Sequence, residues 1–445
     1  MTKTDWCGKL LKNSNNIYFP INKLGHGSYA SVWMCYHKNK KQLLAIKIFK
    51  PIEHKSAEKE IRIYEKLNKL GISNTIKMHD NFVHDKHTCI VFDLMLGSVY
   101  DLLKKGGYYS GDEIVNFKNG LPLDFTMKIT NSVLKTLKDL HNNNIIHGDI
   151  KPENILIYGR TPLHKEILCK LNLKTSDKKI TEAIKDIYKN NIKNNSDSDS
   201  NSDSNSDSDC DSNSDSDSDK SNSCKSENTL LSDEPTVINL TETETDSNTE
   251  HDSNSDIDNN NNNNNICKHL LIDKKYMDEP IIAVSDMGSC IDLCGNKRPT
   301  SIHTKYYRAP EIILGLEYDG RSDMWALGCT IYELLTGKIL FNPDNHDIDE
   351  KRFILNDIFN KLGKVPDKMI DSSPLKGVFF TKTNMLKTTL NTSPMSDIWK
   401  KLLLHIKSEK SIFWKKFQFV DFILDLLKID PEERTSTKTL AKTRC

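Results

Sequence analysis

Short apolar runs dominate roughly the first hundred positions. Tyr29-Ala30-Ser31-Val32-Trp33-Met34 and Leu44-Ala45-Ile46-Lys47-Ile48-Phe49 are rich in β-branched and aromatic residues, as strands of a sheet are. Cys89-Ile90-Val91-Phe92 is a third run of that kind. Between the second and third runs the period changes. Ile61, Tyr64 and Leu67 recur every three residues within 56–70, which predicts a helix with one apolar face. Further on the longer period prevails, and 125–142, 323–335 and 417–427 predict helices. Ile281-Ile282-Ala283-Val284 predicts a lone strand among them. The pattern is that of an α+β chain, with a small strand-rich block at 18–94 and a larger helical block after it.

The helical block is interrupted. Residues 196–223 are almost entirely Ser, Asp and Asn, 241–250 are rich in Thr and Glu, and 259–265 is an unbroken Asn run. Such segments cannot bury enough apolar surface to offset chain entropy, so a long disordered insert is expected. Its flanks at 160–193 and 266–278 are Lys-rich with sparse Leu and Ile, and 165–192 predicts part of a helix. The chain therefore divides into an N-terminal extension at 1–17, the small block at 18–94, and a first part of the large block at 95–160. A low-complexity acidic spacer follows at 161–277, and the large block resumes at 278–445.

Charge sharpens this division. The 445 residues carry 62 Lys/Arg and 62 Asp/Glu, a formal net charge of zero. Over 194–265 there are 19 Asp/Glu against two Lys and no Arg, a net of −17, so the remainder carries +17. No apolar run reaches the ~20 residues needed to span a bilayer. Met1-Thr2-Lys3-Thr4-Asp5-Trp6 has no apolar core, so no secretory signal is expected. The 11 cysteines are odd in number and scattered, which fits reduced thiols in a cytosol-like compartment.

Several motifs carry chemistry. Gly25-His26-Gly27-Ser28-Tyr29-Ala30-Ser31-Val32 suits a hairpin whose glycines let the backbone approach phosphates and offer amide donors. Alone it also describes an ordinary turn, because Ala30 stands where a third glycine would complete the pattern. Lys47 lies in an apolar strand, where an ammonium is costly unless paired. Glu60 on the following helix is its natural partner; the alternative is a lysine that reaches solvent.

His147-Gly148-Asp149-Ile150-Lys151-Pro152-Glu153-Asn154 is far more specific. Packing does not call for an Asp, a Lys two positions on, and an Asn three beyond that. Asp149 suits orienting an attacking hydroxyl and accepting its proton. Lys151 suits neutralising a moving phosphoryl group, and Asn154 suits Mg²⁺ ligation. His147 would hold the loop. In Asp286-Met287-Gly288 a carboxylate ends the strand Ile281-Ile282-Ala283-Val284, which suits a Mg²⁺ that bridges the phosphates of ATP. Cys290-x-x-x-Cys294 with His303 offers metal-ligand types, but no fourth ligand is evident.

These residues resemble the protein kinase superfamily over roughly 18–158 and 278–440. The resemblance implies a two-lobed fold, with a small β-rich N-lobe and a large helical C-lobe, binding ATP and Mg²⁺. It implies nucleotide contacts from Gly25, His26, Gly27, Ser28, Tyr29, Ala30, Val32, Ala45, Lys47 and Glu60. Phe92 looks like the gatekeeper, and Asp93-Leu94-Met95 like the adenine-binding hinge. Ala309-Pro310-Glu311 would close the activation segment, with Glu311 paired to Arg434. Asp323 in Asp323-Met324-Trp325-Ala326-Leu327-Gly328 would support the catalytic-loop backbone. Thr304-Lys305-Tyr306-Tyr307-Arg308-Ala309-Pro310-Glu311 and the insert at 341–366 resemble the cyclin-dependent, MAP and SR-protein kinase group. SR-protein kinases are the nearest match, sharing a small residue before the catalytic Asp and a long spacer after that loop.

The departures bear on regulation. Gly148 replaces the Arg that in many kinases reads a phosphorylated activation loop, so activity is expected without phosphate on Thr300, Ser301 or Thr304. Met287 replaces the usual Phe. The chain ends at Cys445, soon after Arg434, which implies a clipped last helix. Lys151 favours serine/threonine over tyrosine acceptors. Protein substrates are expected, Arg/Ser-rich ones being one class. The net basic lobes weaken that preference, although Asp347, Asp349, Glu350 and Asp357 offer a local acidic groove. A monomer with no nucleic-acid or membrane partner is expected. Its setting would be the cytoplasm or nucleus, or for a viral chain the host cytoplasm or virion. A non-catalytic scaffold of the same fold is the rival reading. The presence of Lys47, Glu60, Asp149, Lys151, Asn154 and Asp286 argues against it.

Overall fold

The computed structural model describes residues 5–110, 113–196, 236–238, 270–272, 274–295, 298–344, 348–390, 402 and 413–443. Of the predicted low-complexity spacer at 161–277, residues 197–235, 239–269 and 273 lie outside these. The small block folds as one antiparallel sheet of six strands. They are β1 (Leu11–Lys12), β2 (Ile17–His26), β3 (Ala30–His37), β4 (Gln42–Phe49), β5 (Met78–His84) and β6 (His87–Asp93), in the order β1-β2-β3-β4-β6-β5. Alternation along the strands separates two apolar layers. Tyr18, Trp33, Cys35, Leu44 and Ile46 pack on one face, where Trp6 and Leu11 of the N-terminal extension join them. Phe19, Met34, Ala45 and Phe92 pack on the other. Helix α1 (His54–Leu70) buries Ala57, Glu60, Ile63, Tyr64 and Leu67, the i, i+3, i+4 stripe of an amphipathic helix.

The large block begins with β7 (Gly97–Ser98), α2 (Val99–Lys105), β8 (Gly106–Ser110) and β9 (Glu113–Asn116). Helix α3 (Leu123–Asn142), β10 (Ile145–Ile146) and β11 (Ile155–Ile157) follow. The catalytic loop lies between β10 and β11.

Within the segment that sequence pattern assigned to the spacer, an ordered hairpin of helices forms. Helix α4 (Pro162–Asn172) starts from a capping box at Thr161 and His164, and α5 (Asp177–Ser196) returns along it. Ile167, Leu171, Ile180 and Ile184 are fully or nearly fully buried, in the layer that holds Phe19 and Tyr36. The Tyr36 hydroxyl donates to Asn172 Oδ1 at 2.9 Å, and Lys38 Nζ meets Asp177 at 2.6 Å. The spacer therefore begins later than 161, because four sparse apolar residues at helical spacing suffice when a sheet offers them an apolar face. At its far end β12 (Thr236–Ile238) and β13 (Leu270–Ile272) join β8 and β9 in one sheet, and α6 (Lys274–Asp278) leads back into the large block.

Strand β14 (Ile282–Val284) pairs antiparallel with β11, and β15 (Ile291–Asp292) pairs with β10. These two pairings set the Asp286 segment beside the catalytic loop. Helix α7 (Pro310–Ile313) closes the activation segment, and α8 (Arg321–Thr336) runs through the centre with Ser322 to Leu335 all buried. Helices α9 (Glu350–Leu362), α10 (Asp367–Ser372), α11 (Lys376–Phe379), α12 (Phe413–Leu426) and α13 (Thr437–Thr443) complete the lobe. Among the described residues no helix is long and apolar enough to cross a membrane.

Burial, with Arg160 nearby, pulls the His164 imidazole down to about 4 from 6.5. An unfolded chain takes up that proton near pH 6.5, whereas the folded one resists until about pH 4. Stability present above pH 6.5 is therefore lost as pH falls through that window, by up to about 3 kcal/mol. Thermal melts at about pH 7 and about pH 5 should show this loss. His164→Gln keeps a capping side chain and should flatten the pH dependence.

Candidate active site

Register across the sheet assembles the upper half of the site. Val32 lies opposite Lys47, and Ala45 opposite Phe92, so all four side chains share one face. The turn between β2 and β3 closes with Gly27 N–H donating to Ala30 O at 2.9 Å. A Cβ on Gly25 or Gly27 would meet nothing within 4 Å, so the loop leaves open space beneath its amides. Ser28 O accepts from Lys50 Nζ, and Tyr29 projects outward at 58% exposure. His26 pairs with Ser31 at the edge of the turn. Phe92 is buried, with its ring 5.0 Å from Tyr64 on α1. Asp93 accepts from His79 at 2.6 Å, and Leu96, next to Met95, is tied by its N–H to Ile157 O at 2.9 Å.

Lys47 is paired twice. Its Nζ lies 2.8 and 3.0 Å from the two carboxylate oxygens of Glu60 and 2.9 Å from Asp286 Oδ1. Burial alone would lower the ammonium pKa, yet the two carboxylates outweigh it and Lys47 is held charged. For Asp286, burial raises the pKa and Lys47 overcomes it, leaving the carboxyl below its ordinary range. Gly288 sits against this cluster. A Cβ there would come 2.8 Å from Glu60 Oε2, so only a glycine lets α1 close on the segment. Met287, in the place of the usual aromatic, is fully buried and fills its pocket with Cys290 Sγ 3.5 Å away.

The catalytic loop is held as tightly. His147 N–H donates to Asp323 Oδ2 at 2.8 Å, and Gly148 N–H to Asp323 Oδ1 at 2.9 Å. His147 Nε2 donates to Ser285 O at 3.0 Å, joining the loop to the Asp286 segment. Gly148 has φ +76°, and a Cβ there would lie 2.9 Å from Ser289 O. A larger residue at 148 would have to push that backbone away.

Asp149 is 8% exposed. Its Oδ2 pairs with Lys151 Nζ at 2.7 Å, and its Oδ1 accepts from the Thr304 hydroxyl at 2.7 Å and the Thr304 N–H at 3.0 Å. Lys151 Nζ also donates to Thr304 Oγ1 at 2.9 Å. Burial would raise the Asp149 pKa, but Lys151 and these hydrogen bonds outweigh it and keep the group anionic. The Asn154 amide nitrogen donates to Asp149 O at 2.8 Å and Oδ2 at 3.1 Å. That orientation leaves the Asn154 carbonyl oxygen free of this network. It and the Asp286 carboxylate are oxygen donors of the kind that hard divalent cations prefer.

Thr304 is the site residue that sequence reasoning missed. It entered as a position for phosphate and as the start of a family motif, not as a partner of the catalytic loop, yet its hydroxyl bridges Asp149 and Lys151. Its place in Thr304-Lys305-Tyr306-Tyr307-Arg308 was the available signal, but spacing could not show where the hydroxyl points. The expected acidic groove does not form from the described residues. Asp357 is buried against Lys361, Glu350 pairs with Lys305, and Asp349 caps α9; Asp347 lies outside the described residues. Cys290 and His303 turn inward to other partners, while Cys294 is exposed. Glu311 and Arg434 meet as expected, in a buried two-point bond of 2.7 and 2.9 Å.

This geometry agrees with sequence comparison. The protein kinase domain family matches residues 18–177 and 266–444. The chain belongs to that family. It is 26% identical, over 96% of its length and 86% of the relative's, to a protein of Acanthamoeba polyphaga mimivirus named as a serine/threonine-protein kinase. It is 25% identical to the serine/threonine-protein kinase SRPK of Physarum polycephalum, over 97% of this chain and 85% of that one. With protein kinase dsk1 of Schizosaccharomyces pombe the identity is 24%, over 94% and 78%. The protein is thus an ATP-dependent protein serine/threonine kinase, and within the family it is similar to SR-protein kinases.

Two substitutions check the architecture. Gly288→Ala should push Glu60 from Lys47 and lower kcat by at least about tenfold, as small misplacements of catalytic groups do. Arg434→Met strands the buried Glu311 carboxylate and should cost about 3–5 kcal/mol in denaturant unfolding.

Proposed function

We propose that this kinase uses Mg²⁺ and transfers the γ-phosphoryl of ATP to Ser/Thr hydroxyls without phosphate on its own activation segment. Asp149 orients the incoming hydroxyl and takes its proton, held in place by Thr304 and Lys151. Lys151 neutralises charge on the transferred group. Lys47, fixed by Glu60, contacts the ATP phosphates beneath the turn at 25–32. Asn154 and Asp286 hold the metal, which when bound offsets the negative charge of the phosphates.

The observation that carries phosphate independence is the pair Gly148 and Thr304. Residue 148 has no guanidinium to bind a phosphate. The segment is nevertheless bonded to the catalytic loop through Thr304 and through His303 N–H to Gly148 O at 2.8 Å. Arg/Ser-rich proteins are proposed as one substrate class because of the SRPK relative, with no support from an acidic groove. A monomer without membrane or nucleic-acid partners is proposed, acting in the cytoplasm or nucleus, or for a viral chain in host cytoplasm or virion.

The test is transfer from labelled ATP to an arrayed peptide library, before and after phosphatase treatment, with Asp149→Ala as control. Treated enzyme should keep most of its rate and Asp149→Ala should lose it. A large loss on phosphatase treatment would sink phosphate independence. Chelation of Mg²⁺ should abolish transfer and its re-addition restore it.

A further inference from the structure

His303 adopts a backbone that residues with a Cβ rarely take. Its φ is +63°, in the left-handed region. Histidine visits that region more often than most residues but still uncommonly, and tertiary bonds hold it there. Its N–H donates to Gly148 O at 2.8 Å, and its carbonyl accepts from Arg308 Nη2 at 3.0 Å. The side chain is 0% exposed, and Nε2 lies 3.2 Å from Asp323 Oδ1. The carboxylate can only accept, so Nε2 carries the proton. Nδ1 has no hydrogen-bond partner among the described residues, so this is the imidazole's one polar contact there.

That same Asp323 oxygen accepts from Gly148 N–H at 2.9 Å. Residues 303 and 148 are thereby joined twice, directly and through one carboxylate. The next residues continue the seam, since Thr304 donates to Asp149 Oδ1 by both its N–H and its hydroxyl. Moving His303 moves Thr304, and moving Thr304 removes both donors from Asp149 Oδ1, leaving the carboxylate held only at Oδ2 by Lys151 and Asn154.

We propose that His303 is a positioning residue. Its imidazole, anchored on Asp323, holds the activation segment against the catalytic loop and does there what a phosphate bound to an arginine at 148 would otherwise do. This rests on the reading that the enzyme works without activation-segment phosphate. His303 touches neither ATP nor the acceptor; it acts through Thr304 on Asp149.

Two variants separate positioning from packing. His303→Asn tolerates the left-handed backbone and remains polar, but its amide corresponds to Nδ1 and falls short of Asp323. In His303→Gln the amide nitrogen reaches the place of Nε2. Both are assayed as the full chain after phosphatase treatment, with kcat expressed per ATP-binding site from nucleotide titration so that unfolded protein does not count. His303→Asn should lose kcat by at least about tenfold, within the range known for small misplacements of catalytic groups, while KM for ATP stays within about threefold. His303→Gln should recover kcat to within about threefold of the parent. A His303→Asn enzyme with parental kcat overturns the proposal, as does His303→Gln failing as badly as His303→Asn. Loss of transfer by the treated parent enzyme instead removes phosphate independence, and this proposal with it; a treated parent that works beside an equally active His303→Asn removes this proposal alone.

Discussion

The carboxylate of Asp323, fully buried on α8, is the point on which the catalytic half of the molecule is built. An ion removed from water is tolerable only if hydrogen bonds replace its hydration. Four donors do so: His141 Nε2 at 2.9 Å, His147 N–H at 2.8 Å, Gly148 N–H at 2.9 Å and His303 Nε2 at 3.2 Å. Burial pushes its pKa up, and the hydrogen bonds from the two histidines pull it well below the ordinary range, so the group stays charged. Because the carboxylate needs all these donors, it gathers α3, the catalytic loop and the activation segment around one helix. Geometry that an enzyme needs at its reacting atoms is here a consequence of solvating a single anion.

The second fixed point lies between the lobes. Lys47 comes from the sheet, Glu60 from α1 and Asp286 from the end of β14. Glu60 is buried, Lys47 mostly so and Asp286 partly exposed, and the shared ammonium links all three. The glycine at 288 is what permits it, since any side chain there would collide with Glu60. Three elements from two lobes thus close around one ammonium.

Much of this was legible beforehand. Strands at 30–37 and 42–49 and helices at 123–142 and 321–336 match the apolar periods to within a few residues. Lys47 stood out as a charge within an apolar strand, Asp149 and Asn154 by their spacing, and Asp286 by its place at a strand end between two other motifs. Less was legible at 162–196. There the apolar residues are few among many lysines, and their helical stripe acquires meaning only against Phe19 and Tyr36 on the sheet. The acidic residues at 349–357 were misleading for the same reason, since composition cannot tell a free carboxylate from one already paired with Lys305 or Lys361.

The sequence by itself determined the α+β class and the order and spacing of the polar motifs. Those properties reside in local period and spacing, which report on neighbours within a helical turn or a strand pair. The two-lobed plan and the absence of an arginine at 148 came from the resemblance to the kinase family. The tertiary structure alone decided that Thr304 faces Asp149 across 155 positions, that Lys47 meets Asp286 across 239, and that His303 turns to Asp323. Such contacts are set by how buried charges find donors once the core has closed, and no local pattern encodes which distant donor will be within reach.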